Sequence, residues 1–104
     1  MNINDYFKNK AGAIVPYDTN KIPFLSIENE VKALVLSVGA IEVNHLTIPI
    51  VTIKEPKGPI CYRIPNEYED WAKTCMGFSA MNLNMFPAEV IFTKQDGKYF
   101  VDIL

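Results

Sequence analysis

Apolar and polar positions change period several times along the chain, and each change marks an element. From Val31 the residues are apolar on both faces through Val38, and the run continues to Val43. That is the pattern of a strand covered on two sides. Gly39 interrupts it, and a glycine inside a long strand predicts a bulge or sharp bend, with different pairing before and after. Asn44 and His45 predict a tight connection. In the next run Leu46, Ile48 and Ile50 alternate with Thr47, Pro49 and Val51, which predicts a second strand over 46–54. Pro49 has no N–H to donate to a ladder, so it belongs at an edge or a bulge. Glu55 to Pro59 is a turn, and Ile60–Ile64 is a short third strand.

The period then becomes helical. Tyr68, Trp71, Ala72, Cys75 and Met76 follow one another at i, i+3, i+4, i+7 and i+8. Asn66 is placed as the N-cap, with Glu69 able to reach back to it. Glu67, Glu69 and Asp70 crowd the first turn, where the helix dipole favours anions. Gly77 is placed to end the helix. Residues 78–86 form a connector rich in Met and Asn, closed by Pro87. Two further strands, 88–94 and 98–104, flank Gln95-Asp96-Gly97, and Asp-Gly is a strong hairpin signal. The first residues read differently. Asn4 or Asp5 is placed to cap a short helical turn over Tyr6–Lys10. Asp18–Asn20 reads as a turn, and Ile22–Leu25 as extended around Pro23. Residues 1–27 are expected to form an irregular arm whose Tyr6, Phe7, Tyr17 and Phe24 tuck into the core of a domain over 28–104.

Three strands, a helix and a closing hairpin resemble the element order of the OB-fold. The long first strand with its internal glycine suits a barrel corner, and a helix with one apolar stripe suits a plug for one end. The resemblance implies a mainly β chain with one helix, folded as a five-stranded Greek-key barrel with an N-terminal arm. It also implies a ligand face on the second and third strands, flanked by the first and last hairpin loops. OB-folds that bind single-stranded DNA or RNA combine a positive groove with aromatic rings that stack on bases.

Composition narrows the options further. At 104 residues the chain is one domain, and with 49% hydrophobic and 21% charged residues it is not a disordered one. No apolar run approaches the length of a membrane span. The opening MNINDYFKNK is polar and acidic where an export signal is apolar, so a reducing cytosol is expected. A net charge of −2 excludes a strongly basic nucleic-acid binder, though not a local basic groove. Nine Lys to one Arg, with many Asn and Ile, suggest the AT-rich coding of low-GC bacteria and their phages.

Few residues offer chemistry. His45 is the single histidine, in a turn, and neither Cys61 nor Cys75 lies at a spacing that pairs it for nucleophilic attack or zinc binding. Both cysteines sit on apolar stripes and are expected to be buried free thiols. The acidic first helical turn serves the dipole, and no glycine-rich phosphate loop exists. No enzyme, metal or cofactor is expected. Charge, by contrast, is segregated. Residues 31–65 carry Lys32, Lys54, Lys57 and Arg63 against Glu42 and Glu55, a net +2, while residues 66–87 carry a net −2. Lys94 and Lys98 bracket the last hairpin. Tyr62 and Tyr99 are strand aromatics for stacking, with Phe92 or Phe100 in their place if the register is shifted. These residues mark a candidate groove for single-stranded nucleic acid, in a chain small enough to need self-association for useful affinity. Phe78, Met81, Leu83, Met85 and Phe86 mark the competing reading, an adaptable apolar surface for a protein partner, as in a phage inhibitor, or for a second copy.

Overall fold

The computed structural model describes residues 5–104. Seven strands and one α-helix follow one another: β1 (Tyr6–Lys8), β2 (Ile14–Pro16), β3 (Glu30–Val43), β4 (Leu46–Glu55), β5 (Gly58–Arg63), α1 (Glu69–Ala80), β6 (Ala88–Gln95) and β7 (Lys98–Ile103). The last five strands form one antiparallel sheet in the order β5-β4-β3-β6-β7, and β1 and β2 form a separate hairpin. The chain is thus mainly β with one helix. The sheet is open: β5 and β7 stay at its two edges and do not pair, so the expected barrel is not closed.

Two tight turns follow from residues that tolerate positive φ. Asn44 and His45 have φ of 51° and 67°, and Asp96 and Gly97 have 53° and 75°. That is the two-residue geometry whose twist matches the flanking strands. The first joins β3 to β4 at Val43↔Leu46, and the second joins β6 to β7 at Gln95↔Lys98.

β3 changes partner midway, as the sequence suggested, but not at Gly39. Its residues 30–35 pair with β6, and residues 35–43 pair with β4. The irregularity lies between Val35 and Ser37, so Leu36 is the extra residue, while Gly39 sits in register opposite Ile50. A Cβ added at Gly39 would meet the Ile50 side chain at 3.7 Å, an ordinary contact. The break falls where β6 runs out, and partner availability rather than backbone freedom sets its place. Pro49 behaves as expected, because β4 pairs with β5 only from Ile50 onward.

The helix begins and ends elsewhere than its apparent signals. Asn66 lies inside a 3-10 turn, Asn66–Tyr68, and makes no capping bond. Gly77 is interior, and α1 runs on to Ala80. Termination falls to Asn82, whose φ is 61°. Its N–H donates to the Ser79 carbonyl, and the Leu83 N–H donates to the Phe78 carbonyl at 2.8 Å. Together these close a Schellman motif with asparagine in the left-handed position.

The core forms two clusters. One joins Ile27, Val35, Val51, Ile53, Ile64, Val90 and Phe92 with Tyr68, roofed by α1. The Tyr68 ring meets Phe92 and Tyr99 edge-on, each at 5.5 Å, and Trp71 meets Phe92 at 5.7 Å. The second cluster lies on the opposite face of the sheet, where Ala13, Val15 and Ile22 of the arm cover Ile50 and Cys61. The arm is therefore built differently from expectation. Tyr6–Lys8 is a strand in place of a helical turn, because its pairing with Ile14–Pro16 satisfies the backbone directly. The cap considered at Asn4 lies outside the described residues. Of the expected aromatics Phe7 does pack against this cluster, but Tyr17 and Phe24 are exposed, and Ala13, Val15 and Ile22 fill the interface.

Candidate interaction surfaces

Alternation along the strands sorts the basic and aromatic residues onto two faces. Val35, Val51, Ile53, Val90 and Phe92 define the inner face. Tyr62, Lys94 and Tyr99 share it. Tyr62 donates its hydroxyl to Glu55 at 3.0 Å, and the Lys94 ammonium stands 5.3 Å over the Tyr99 ring. Both tyrosines are partly buried against the core, and Tyr99 stacks edge-on to Tyr68. Burial, the Glu55 hydrogen bond and the Glu55 charge together push the Tyr62 hydroxyl pKa up.

Lys32, Lys54, Arg63 and Lys98 take the outer face, and Lys57 lies in the β4–β5 turn. Arg63 is engaged internally. Its Nε donates to the Ile22 carbonyl at 3.2 Å, and its guanidinium lies 5.3 Å over the Phe24 ring. Lys32 is bridged to Glu89 at 3.2 Å. The eight residues of the candidate groove thus divide, with the tyrosines on one side and most of the cations on the other. The arm also occupies the outer face of β4 and β5. Ile50, Thr52 and Cys61 are buried beneath it, and Asn9 donates a side-chain hydrogen bond to Thr52.

What stays open on the outer face is the half made by the start of β3 with β6 and β7. Phe100 stands there half-exposed, opposite Thr93, while Phe92 is fully buried. Lys32 and Lys98 share this face, but so do Glu30, Glu89 and Asp102, so the charge is mixed. Alternation singled out Phe100 only under a shifted register. The register as folded puts it outside and Tyr99 inside.

The second surface is uncharged. Met76, Phe78, Met81, Leu83 and Met85 are all exposed, at 38–66%. No charged residue occurs from 74 to 88. The Schellman turn fixes this segment's course, and the cis peptide bond before Pro87 carries it into β6. Phe86 is the one member of the predicted segment turned partly inward, against the core. Met76, counted in sequence as part of the buried helix stripe, is exposed too, on a different side of the helix from Phe78. A cleft of about 520 Å³ adjoins the segment, between Met76, Ser79 and Phe86 on one side and Leu36–Val38 on the other.

Of the groups with chemical potential, Cys61 and His45 lie apart from both surfaces, and Cys75 lies at the wall of the cleft beside Met76. Cys61 and Cys75 are buried free thiols. Burial pushes the Cys61 pKa up to about 11, against a smaller opposing effect of the Thr52 hydroxyl, and burial also raises Cys75. His45 is exposed in its turn. No helix is long and apolar enough to cross a membrane among the described residues. Comparison with protein families, characterised proteins and solved structures finds no match to this chain.

Proposed function

We propose that this protein is a recognition module without catalytic activity that binds a protein partner through the apolar surface of residues 76–86. One observation carries the reading: five large apolar side chains stand exposed in a stretch without charge, on a backbone held by a capped helix end. Interface centres are depleted of charge and enriched in aromatic residues and methionine. Methionine, unbranched and polarizable, adapts its shape to a partner. Capture from a lysate of its native cell tests it. Met81→Asp with Leu83→Asp abolishes capture of the partner while leaving the fold intact, since both side chains are exposed. An unchanged set of captured proteins contradicts it.

A second reading, binding of single-stranded DNA or RNA, is favoured by Phe100 beside Lys98 and Lys32 on the open half of the outer face. The OB-like reading of the fold belongs with it. Its supports are the element order, the change of partner in β3, and an open sheet whose edge strands β5 and β7 are those that closure would join. Under this reading a labelled oligonucleotide binds at ~50 mM salt and is lost by ~200 mM, as counterion release requires. Phe100→Ala then weakens binding by roughly 1–3 kcal/mol. The mixed charge of that face and the arm over β4 and β5 make it the weaker of the two.

A further inference from the structure

β3 is the central strand of the sheet, yet its second half has a neighbour on one side alone. β6 pairs with Glu30–Val35 and goes no further. From Leu36 to Val43 the other edge of β3 meets no strand among the described residues. Unpaired N–H and C=O groups in such a row are a template for another strand. Natural edges are commonly blocked by proline or lysine, and residues 36–43 contain neither. The edge is also reachable. Two adjoining clefts, of about 520 and 200 Å³, run beside it, both lined by Lys10, Ser37, Val38 and Met76. The turn of the β1–β2 hairpin forms one wall and the second half of α1 the other.

We propose that this edge, Ser37–Val43, pairs antiparallel with the same edge of a second copy of the chain, about a two-fold axis at Ala40. The proposal deepens the protein-recognition reading, because the 76–86 surface flanks this edge, and it names a second copy as the occupant there. Charge favours a copy over a foreign strand. Glu42 is the one Asp, Glu, Lys or Arg between Lys32 and Lys54, and it stands exposed at one end of the edge. Lys10 stands exposed at the other end, beside Ser37 and Val38. Antiparallel pairing centred on Ala40 sets position 42 of one copy opposite position 38 of the other, on the same face of the sheet. Each Glu42 carboxylate then meets the Lys10 ammonium of the second copy, twice by symmetry. Parallel pairing places like charges together and forfeits both contacts. The small residues at the centre, Gly39 and Ala40, let the two backbones approach.

Sedimentation equilibrium between ~10 μM and ~1 mM, the range of weak association, tests the pairing. The expected result is a reversible monomer–dimer equilibrium. Glu42→Lys and Lys10→Glu each weaken the dimer about tenfold by turning two attractions into repulsions, and the double variant restores it. Hydrogen exchange supplies a readout that needs no variant: amides within 37–43 gain protection as concentration rises. A chain that stays monomeric throughout overturns the proposal. So does a dimer that neither charge reversal weakens, or one whose 37–43 amides exchange as in the monomer. Partner capture through Met81 and Leu83 is a separate measurement. Its failure removes the recognition reading and leaves the strand pairing, and monomeric behaviour does the reverse.

Discussion

Tyr68 shows how much one residue decides here. It is buried, its hydroxyl donates to the Phe100 carbonyl at 2.8 Å, and its ring holds Phe92, Trp71 and Tyr99 in place. Burial, with smaller contributions from Tyr99 and Glu67, pushes its pKa up to about 12. Cys61 is pushed up to about 11 by the same cause. The unfolded chain ionises these groups at lower pH than the folded one, so their stabilising contribution is intact below about pH 9 and is lost as pH rises toward 12. Urea midpoints are therefore expected to stay level from pH 7 to 9 on this account and to fall above it; a level curve to pH 12 contradicts the burial. Phe92→Ala is expected to cost about 3–5 kcal/mol in denaturant titration, as a fully buried ring should. Burial of Cys61 and Cys75 was legible from their places on apolar stripes, whereas Phe92, a candidate stacking ring under a shifted register, lies fully in the core. The inward turn of Tyr99 and the outward turn of Phe100 were not, because a strand's register is fixed by its neighbour and a slip of one residue exchanges the faces.

At the level of elements, every strand of the main sheet was legible to within a residue or two, since alternation, Asp96-Gly97 and the Glu55–Pro59 turn are local signals. What failed was the identity of the residue that acts. Gly39 looked like the bend, but Leu36 takes it because β6 ends there. Gly77 looked like the helix stop, but Asn82 takes it, since a left-handed residue ends a helix only where the following N–H groups find carbonyls. Gly39→Ala is thus expected to be neutral within ~0.5 kcal/mol, or stabilising, by thermal unfolding. Asn82→Gly is expected to be tolerated, whereas Asn82→Val is expected to cost roughly 1–2 kcal/mol. A large loss at Gly39 and none at Asn82→Val would reverse the two assignments. The β1–β2 hairpin was missed because three-residue strands carry too few positions to show a period.

At the scale of the whole molecule, the arm determines which surfaces are left to act. It seals the outer face of β4 and β5, and residues 23–25 run parallel to the end of β5. Val15→Asp is expected to lift the arm and make Cys61 react with a thiol reagent at pH 8, where the native protein is silent; a silent variant contradicts the seal. With that face closed and the cations divided, the exposed apolar residues at and after the end of α1 form a stretch without charge. Its composition was legible, and its exposure was not, because exposure depends on what the rest of the chain leaves uncovered. The most direct measurement is a hydrogen-exchange footprint of the chain bound to its captured partner. Protection concentrated on residues 76–86, with 98–102 unchanged, is the expected result. Protection concentrated on Lys32 and on 94–100, with 76–86 exchanging freely, contradicts the account.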